Sequence, residues 1–462
     1  MLSIAFGVLI TTYLLLRTAL RLTQDAREPP SVSDSVPFVT PVLDMVRQGG
    51  MFHRYLRDKF NLPIYTLRLP GTRLYVNVIG VSETTSAIIG RDVTKDEGYL
   101  MSFPKYVHSA LSPGPSLDAM NRRSIQVIAE SLNKRASGTT TVNMFQWIRH
   151  ELLLASTEGI ARKGFQAREY MAKVWERYFD EGSWEQGSDL IKARVKINND
   201  FQIPLKETAR IEIGGSQAIL TNNLPGAFWL SFRVFSDPLV LDDIRAELSK
   251  GVRTDDSGIC TIDLNYVKSC PALRSTLKET MRIHSSSTAT RLAMEDHLLG
   301  NYLLKKGSTI MIPSSVQHTN KDVWGSSVDE FMHRRFVREE PGGRRTTTKA
   351  TTINPVAFRG FGGGTTLCPG RHFASTEILT FAALLVLRFD IRPKAGRWER
   401  PSTAKSPMVN ALPVPDRDIV VELRPRDNDE GGKLWNVSYA GDSRSMEITA
   451  EDIEGENNSD LN

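Results

Sequence analysis

The sequence predicts a predominantly α domain with small β-sheets, an α+β fold reached through an N-terminal apolar helix. Three observations lead there. Segments 207–234, 273–283 and 371–388 are long, largely apolar and free of strand-like alternation, which reads as buried helix. Short runs at Ile64 to Leu69, Leu74 to Ile79 and Thr309 to Pro313 have strand length, and Pro70-Gly71 between the first two is a hairpin signal. The chain of 462 residues is 40% hydrophobic and 24% charged, enough to bury one sizeable core, and shows no internal repeat.

At the N-terminus, Leu2 to Leu16 is a nearly continuous apolar run, and it extends to Leu22 if Arg17 and Arg21 carry their charged heads to the interface. A secretory signal would need a basic start and a small-residue cleavage site, and neither is present. Residues 1–22 are therefore expected to be a transmembrane anchor. Arg17, Arg21 and Arg27 lie on its C-terminal side, which places the main domain in the cytosol. Pro29, Pro30 and Pro37 mark 23–37 as a stiff extended hinge, and 38–426 as the main domain. Residues 427–462 hold ten acidic side chains against two basic ones, which predicts an acidic disordered tail and leaves a basic body. No basic motif interleaved with aromatics supports nucleic acid, so the basic face suits an acidic protein or anionic lipid.

The most informative residue is Cys368, one of three cysteines, in the stretch Phe361-Gly-Gly-Gly-Thr-Thr-Leu-Cys-Pro-Gly-Arg-His-Phe-Ala374. Glycines at 362, 363, 364 and 370 let backbone approach a sulfur closely, and the helix starting at Arg371 aims its positive end at that sulfur, favouring the thiolate. A glycine-rich phosphate loop is excluded because no Gly-Lys-Ser/Thr follows. The ordinary alternative for a lone thiol is a buried structural cysteine. Cys260 and Cys270 give no reason to pair, which suits a reducing compartment.

This stretch resembles the haem-binding signature of the cytochrome P450 superfamily, F-x-x-G-x-R-x-C-x-G, with Phe361, Gly364, Cys368 and Gly370 in register. The resemblance implies that Cys368 is the axial thiolate of a haem iron and that Phe361, Gly364 and Gly370 contact the haem. Thr366 stands where the family has an arginine for a haem propionate, so that propionate must find another partner. Glu279 and Arg282 match the family's E-x-x-R helix, and Phe331-Met-His-Arg-Arg-Phe336 is similar to F-x-P-x-R-F, with His333 in the proline position. Glu279, Arg282 and Arg335 would then form a buried, fully hydrogen-bonded structural lock.

In the family's central helix an acid and an alcohol deliver protons, and Asn222 and Asn223 occupy that stretch here. Amides would have to act through ordered water. Pro225 is expected to break the helix ladder beside them. The pattern Asn222-x-x-Pro225-x-x-Phe228-Trp229 is similar to the branch containing sterol hydroxylases, prostacyclin synthase and fungal secondary-metabolism relatives. Residues 157–205 are too few for the family's usual helices, which implies a shortened lid or a missing stretch.

The resemblance thus implies a single-pass membrane monooxygenase at the endoplasmic reticulum with a cytosolic catalytic domain. It would oxidise an apolar multi-ring substrate, terpenoid or steroid-like, in fungal secondary metabolism, with electrons from NADPH through cytochrome P450 reductase. Ser285 to Thr290 and Met408 would touch the substrate. The alternative is a haem-thiolate isomerase or dehydratase that needs no reductase.

Overall fold

The computed structural model describes residues 2–23, 27–30, 32, 36, 39–48, 52–60, 65–67, 82–92, 95–135, 138–156, 164–337, 354–364, 367–407, 410–426, 434–439, 446–450 and 452. Helices α1 (Leu2–Thr23), α2 (Thr40–Gln48), α3 (Phe52–Phe60), α4 (Glu83–Gly90), α5 (Tyr99–Leu111) and α6 (Pro115–Asn133) come first. Strand β1 (Thr140–Asn143) leads to α7 (Met144–Ser156), α8 (Gly164–Asp180), α9 (Asp189–Asp200) and the long α10 (Leu205–Phe235). Next are α11 (Pro238–Ser249), β2 (Val252–Thr254), β3 (Cys260–Asp263), α12 (Leu264–Ser269) and α13 (Pro271–His284). Strands β4 (Thr288–Leu292), β5 (His297–Leu299), β6 (Tyr302–Leu304) and β7 (Thr309–Pro313) precede the short α14 (Ser314–Gln317) and α15 (Lys321–Trp324). The chain ends with α16 (Arg371–Arg388), β8 (Phe389–Pro393), β9 (Val420–Pro425) and β10 (Trp435–Ser438).

Helix α16 is the axis of this arrangement, because every residue from His372 to Arg388 is buried. A helix apolar all round can only sit inside the protein. It packs against α10 and α6, where Phe381, Leu384 and Leu385 join Phe228, Trp229, Ile125 and Ile128 in one core. Trp229 is fully buried, yet its indole N–H donates to the Pro413 carbonyl at 2.8 Å and its ring stacks on His284 at 4.1 Å. The sheets are small and peripheral. β1 and β8 flank β9 in antiparallel pairing, β4 pairs β7, and β5 pairs β6.

Several sequence expectations need amendment. The central helix α10 runs through Pro225 without interruption, so the proline removes one N–H but does not break the helix. The hairpin expected around Pro70-Gly71 lies largely outside the described residues, as does Met408. Between α7 and α10 the described chain carries α8, a short turn of 3-10 helix at Ser183–Gln186, and α9. Helix α1 forms as expected, but among the described residues no helix is long and apolar enough to cross a membrane. Thr11, Thr12, Arg17, Thr18 and Arg21 dilute its apolar character, and Arg17 folds back onto the Tyr13 hydroxyl at 2.9 Å. The transmembrane helix expected over 1–22 is therefore not supported. Of the segment expected to be a hinge, the described residues Pro30 and Val32 are tied down: Thr66 N–H donates to the Pro30 carbonyl, and Val32 N–H to that of Thr66.

Part of the expected acidic tail needs correction, namely residues 434–439 and 446–450, while 427–433, 440–445, 451 and 453–462 lie outside the described residues. Its average composition predicts disorder, but residues 435–438 form β10, parallel to β3, and Trp435, Val437, Met446 and Ile448 enter the main core. The local alternation of Trp435 and Val437 decides the outcome, since period-2 burial is a property of neighbours that average charge conceals. Asn133 at the end of α6 fixes the register by exchanging hydrogen bonds with the Trp435 backbone in both directions. Trp435→Ala should cost about 3–5 kcal/mol in a denaturant titration. A loss of under about 0.5 kcal/mol, the scale of ordinary surface changes, would show that β10 does not belong to the core.

Candidate active site

The loop before α16 is closed by the Cys368 N–H donating to the Phe361 carbonyl at 2.9 Å and the Leu367 N–H donating to the Gly364 carbonyl at 3.0 Å. Gly362 and Gly364 sit at φ +80° and +56°, a region L side chains rarely adopt, so these two positions require glycine. Gly370 caps α16, placing Cys368 just ahead of the first helical N–H groups. Burial pushes the Cys368 thiol up, while the Gly370 N–H and Arg371 pull it back. Arg371 also donates to the Cys368 carbonyl at 3.3 Å.

Cys368 opens on a cavity of about 740 Å³. Its walls come from α5, α6, α9, α10, β4, the 359–364 loop, the start of α16 and residues 411–412. Phe361, Gly364, Cys368 and Gly370 all line it. The remaining lining is mostly apolar, including Phe103, Val107, Leu111, Ile378 and Leu412. Ser287, Thr288, Ala289 and Thr290 line it too, within the segment expected to meet substrate.

Behind the cavity, Glu279, Arg282 and Arg335 are brought together. The Glu279 carboxylate, fully buried, accepts from Arg282 Nε at 2.7 Å, Arg282 Nη2 at 2.9 Å, Arg335 Nε at 3.0 Å and the Met332 N–H at 3.0 Å. The spare guanidinium donors reach the carbonyls of His318, Val328, Glu330 and Ser327. Charges this deeply buried are tolerable because each has several partners. His333, in the proline position of the resemblance, joins Arg334 in binding Asp243 on α11.

Asn222 and Asn223 both line the cavity, but their bonding differs. Asn223 donates from Nδ2 to Glu377 at 2.8 Å, and Ser124 donates to the other oxygen of Glu377 at 2.6 Å. Asn223 is thus committed to holding a buried carboxylate. Burial pushes the Glu377 carboxyl up against the pull of Ser124 and Asn223. Asn222 accepts from the Leu412 N–H at 3.3 Å through its carbonyl.

Sequence reasoning missed four participants. Glu377 is the single carboxylate in the apolar run of α16, a readable anomaly. Arg291 and Arg359 line the cavity beside the glycine loop, and Arg291 donates to the Gly363 carbonyl at 3.2 Å. Asp452 binds Arg371 at 3.0 Å and His372 at 3.3 Å, while the Ile448 and Thr449 N–H groups donate to its other oxygen. Burial raises the Asp452 carboxyl, but His372, Arg371 and the Thr449 N–H outweigh it and hold it well below the usual carboxylate range. The Thr449-x-x-Asp452 spacing is a capping-box pattern that the sequence displays.

A haem fits this donor set. Cys368 supplies one soft ligand with backbone N–H support, the cavity wall is apolar, and Arg291 and Arg359 are the cations placed to hold propionates in place of the arginine absent at Thr366, a residue outside the described set.

Comparison with known proteins agrees. The family profile for cytochrome P450 matches residues 226–418, which contain α13, the Arg335 segment and Cys368. The chain belongs to the cytochrome P450 superfamily. Cytochrome P450 monooxygenase nodJ of Hypoxylon pulicicidum is 28% identical, covering 93% of this chain and 96% of that one. Cholesterol 7-alpha-monooxygenase of Cricetulus griseus is 25% identical, covering 45% of this chain and 43% of that one. The solved structure of retinoic acid bound cyanobacterial CYP120A1 superposes with a TM-score of 0.63 at 17% identity, over 87% of this chain and 100% of that one, which shows the shared fold. This P450 is an oxidoreductase of the monooxygenase type.

Glu279→Ala in this P450 would strand two buried guanidiniums, a loss of about 3–5 kcal/mol. Little soluble holoprotein should be recovered, as judged by haem absorbance per mole of purified chain. Normal yield and haem content would show that the cluster is not a structural lock.

Proposed function

We propose that this P450 oxidises an apolar multi-ring substrate, terpenoid or steroid-like, in fungal secondary metabolism. The observation that carries the reading is the cavity over Cys368, whose mostly apolar walls suit a bulky hydrophobic molecule. The printed names of nodJ and cholesterol 7-alpha-monooxygenase support it, the first as a fungal monooxygenase and the second as a sterol oxidiser. When bound, the haem supplies dioxygen-activating redox chemistry with electrons from NADPH through a reductase. Cys368 holds the iron, and α16 with the Gly370 N–H stabilises the sulfur charge.

Proton delivery falls to Asn222 in this proposal. Its partner Asn223 has its donor tied to Glu377, so of the two only Asn222 has an amide nitrogen without a hydrogen bond to a described residue and able to order water. Glu377, with its carboxyl pushed up, lies behind Asn223 as a proton reservoir. Helix α1, with Phe6, Leu14, Leu15 and Leu22 exposed, supports attachment to a membrane surface, and we place the catalytic domain on the cytosolic face of the endoplasmic reticulum.

A second reading, a haem-thiolate isomerase or dehydratase, draws support from the missing acid and alcohol at Asn222 and Asn223. Metabolite profiling after gene deletion identifies the accumulating substrate, and turnover of that compound with and without NADPH and reductase separates the two readings. Monooxygenation requires both additions, and product formed without them would establish the isomerase. In the monooxygenase, Asn222→Ala should lower the product formed per NADPH by on the order of tenfold, with the difference appearing as hydrogen peroxide. Unchanged coupling would remove Asn222 from the proton path.

A further inference from the structure

The cavity wall contains one charged group that neither the haem site nor the structural lock uses. Arg194 of α9 is 5% exposed and lines the cavity; Glu212 of α10, its ionic partner, is 1% exposed and does not. Arg194 Nε lies 3.0 Å from Glu212 Oε1, but the alignment is too poor for a hydrogen bond. Among the described residues Arg194 Nε and both Glu212 oxygens have no hydrogen-bond partner. The guanidinium lies against Gly215, where a Cβ would overlap its terminal nitrogens. Glycine at this position therefore leaves the space that the guanidinium fills.

Gly215 precedes Asn222 by seven residues of α10, a rise of about 10 Å, so Arg194 sits well along the helix from the polar pair near the glycine loop. A buried guanidinium whose Nε lacks a hydrogen bond is incompletely compensated, and a ligand oxygen at the cavity wall gives it a further partner. Burial pushes the Glu212 carboxyl up, against the pull of Arg194.

We propose that Arg194 is a specificity-determining residue that binds an oxygen acceptor on the substrate, remote from the carbon that is oxidised. The proposal rests on reading this cavity as the substrate site. The ligand class is an otherwise apolar molecule bearing a carbonyl, hydroxyl or carboxylate at one end. Such a molecule is the product of an earlier oxidation or of oxygen-retaining cyclisation, which places this P450 after a step that installs oxygen.

Three probes test it on the haem-loaded enzyme: N-decylimidazole and its ω-hydroxy and ω-carboxy analogues. Each ligates the iron through nitrogen and extends its tail into the cavity, and binding is read from the shift of the Soret band. In Arg194→Met the preference for an oxygenated tail over the plain decyl tail should fall by about tenfold, while plain decyl binding stays within about twofold. Loss confined to the hydroxy probe assigns a neutral acceptor, and loss confined to the carboxy probe assigns an anion. Arg194→Met with Glu212→Gln removes the stranded carboxylate and must give the same change, so a folding defect of the single variant does not decide the result. An oxygenated-to-plain ratio unchanged in both variants overturns the role of Arg194. Failure of N-decylimidazole itself to shift the Soret band overturns the cavity as a substrate site, and this assignment with it.

Discussion

The hydrogen bond from the Cys368 N–H to the Phe361 carbonyl is the constraint on which the site depends. It closes a loop that must turn sharply enough to present a sulfur and stay open enough to admit a flat cofactor. Two glycines at positive φ make that turn possible, and α16 begins directly after it. The loop could not hold this shape alone. It is supported because α16, buried from His372 to Arg388, is packed on all sides, so the position of Cys368 is inherited from the core.

Around that axis the protein buries several charges, and they meet desolvation differently. Glu279 and Arg282 are saturated by hydrogen bonds from side chain and backbone, which makes them rigid. Glu377 is held by two neutral donors, Ser124 and Asn223, which only partly offset the burial that pushes its carboxyl up. Arg194 and Glu212 are incompletely satisfied. Of these groups Arg194 is the one that lines the cavity, where an incompletely satisfied donor is available for ligand recognition.

Much of the haem-proximal half was legible in the sequence because its chemistry is local. Phe361 to Gly370 sits within one loop, and Glu279 and Arg282 are three residues apart on one helix, so spacing alone brings them together. The long-range parts were not legible. Glu377 meets Ser124 across 253 residues and Asn223 across 154, and no local pattern states those contacts. Composition misled at both ends of the chain: average acidity concealed the alternation that makes β10 a strand, and average apolarity concealed the polar residues that interrupt α1. Pro225 shows a third limit, since the packing of Phe228 and Trp229 in the core keeps α10 continuous through a residue that disfavours helix.

Thiolate ligation by Cys368 is the central claim, and the ferrous carbon monoxide difference spectrum reads it directly. The wild-type haem protein should show the strongly red-shifted Soret band that only an electron-rich sulfur ligand produces, and Cys368→Ser should lose it while retaining the far-ultraviolet circular dichroism of a folded helical protein. The same red-shifted band in the serine variant, or its absence from wild-type protein that has bound haem, would contradict the assignment of Cys368 as the iron ligand.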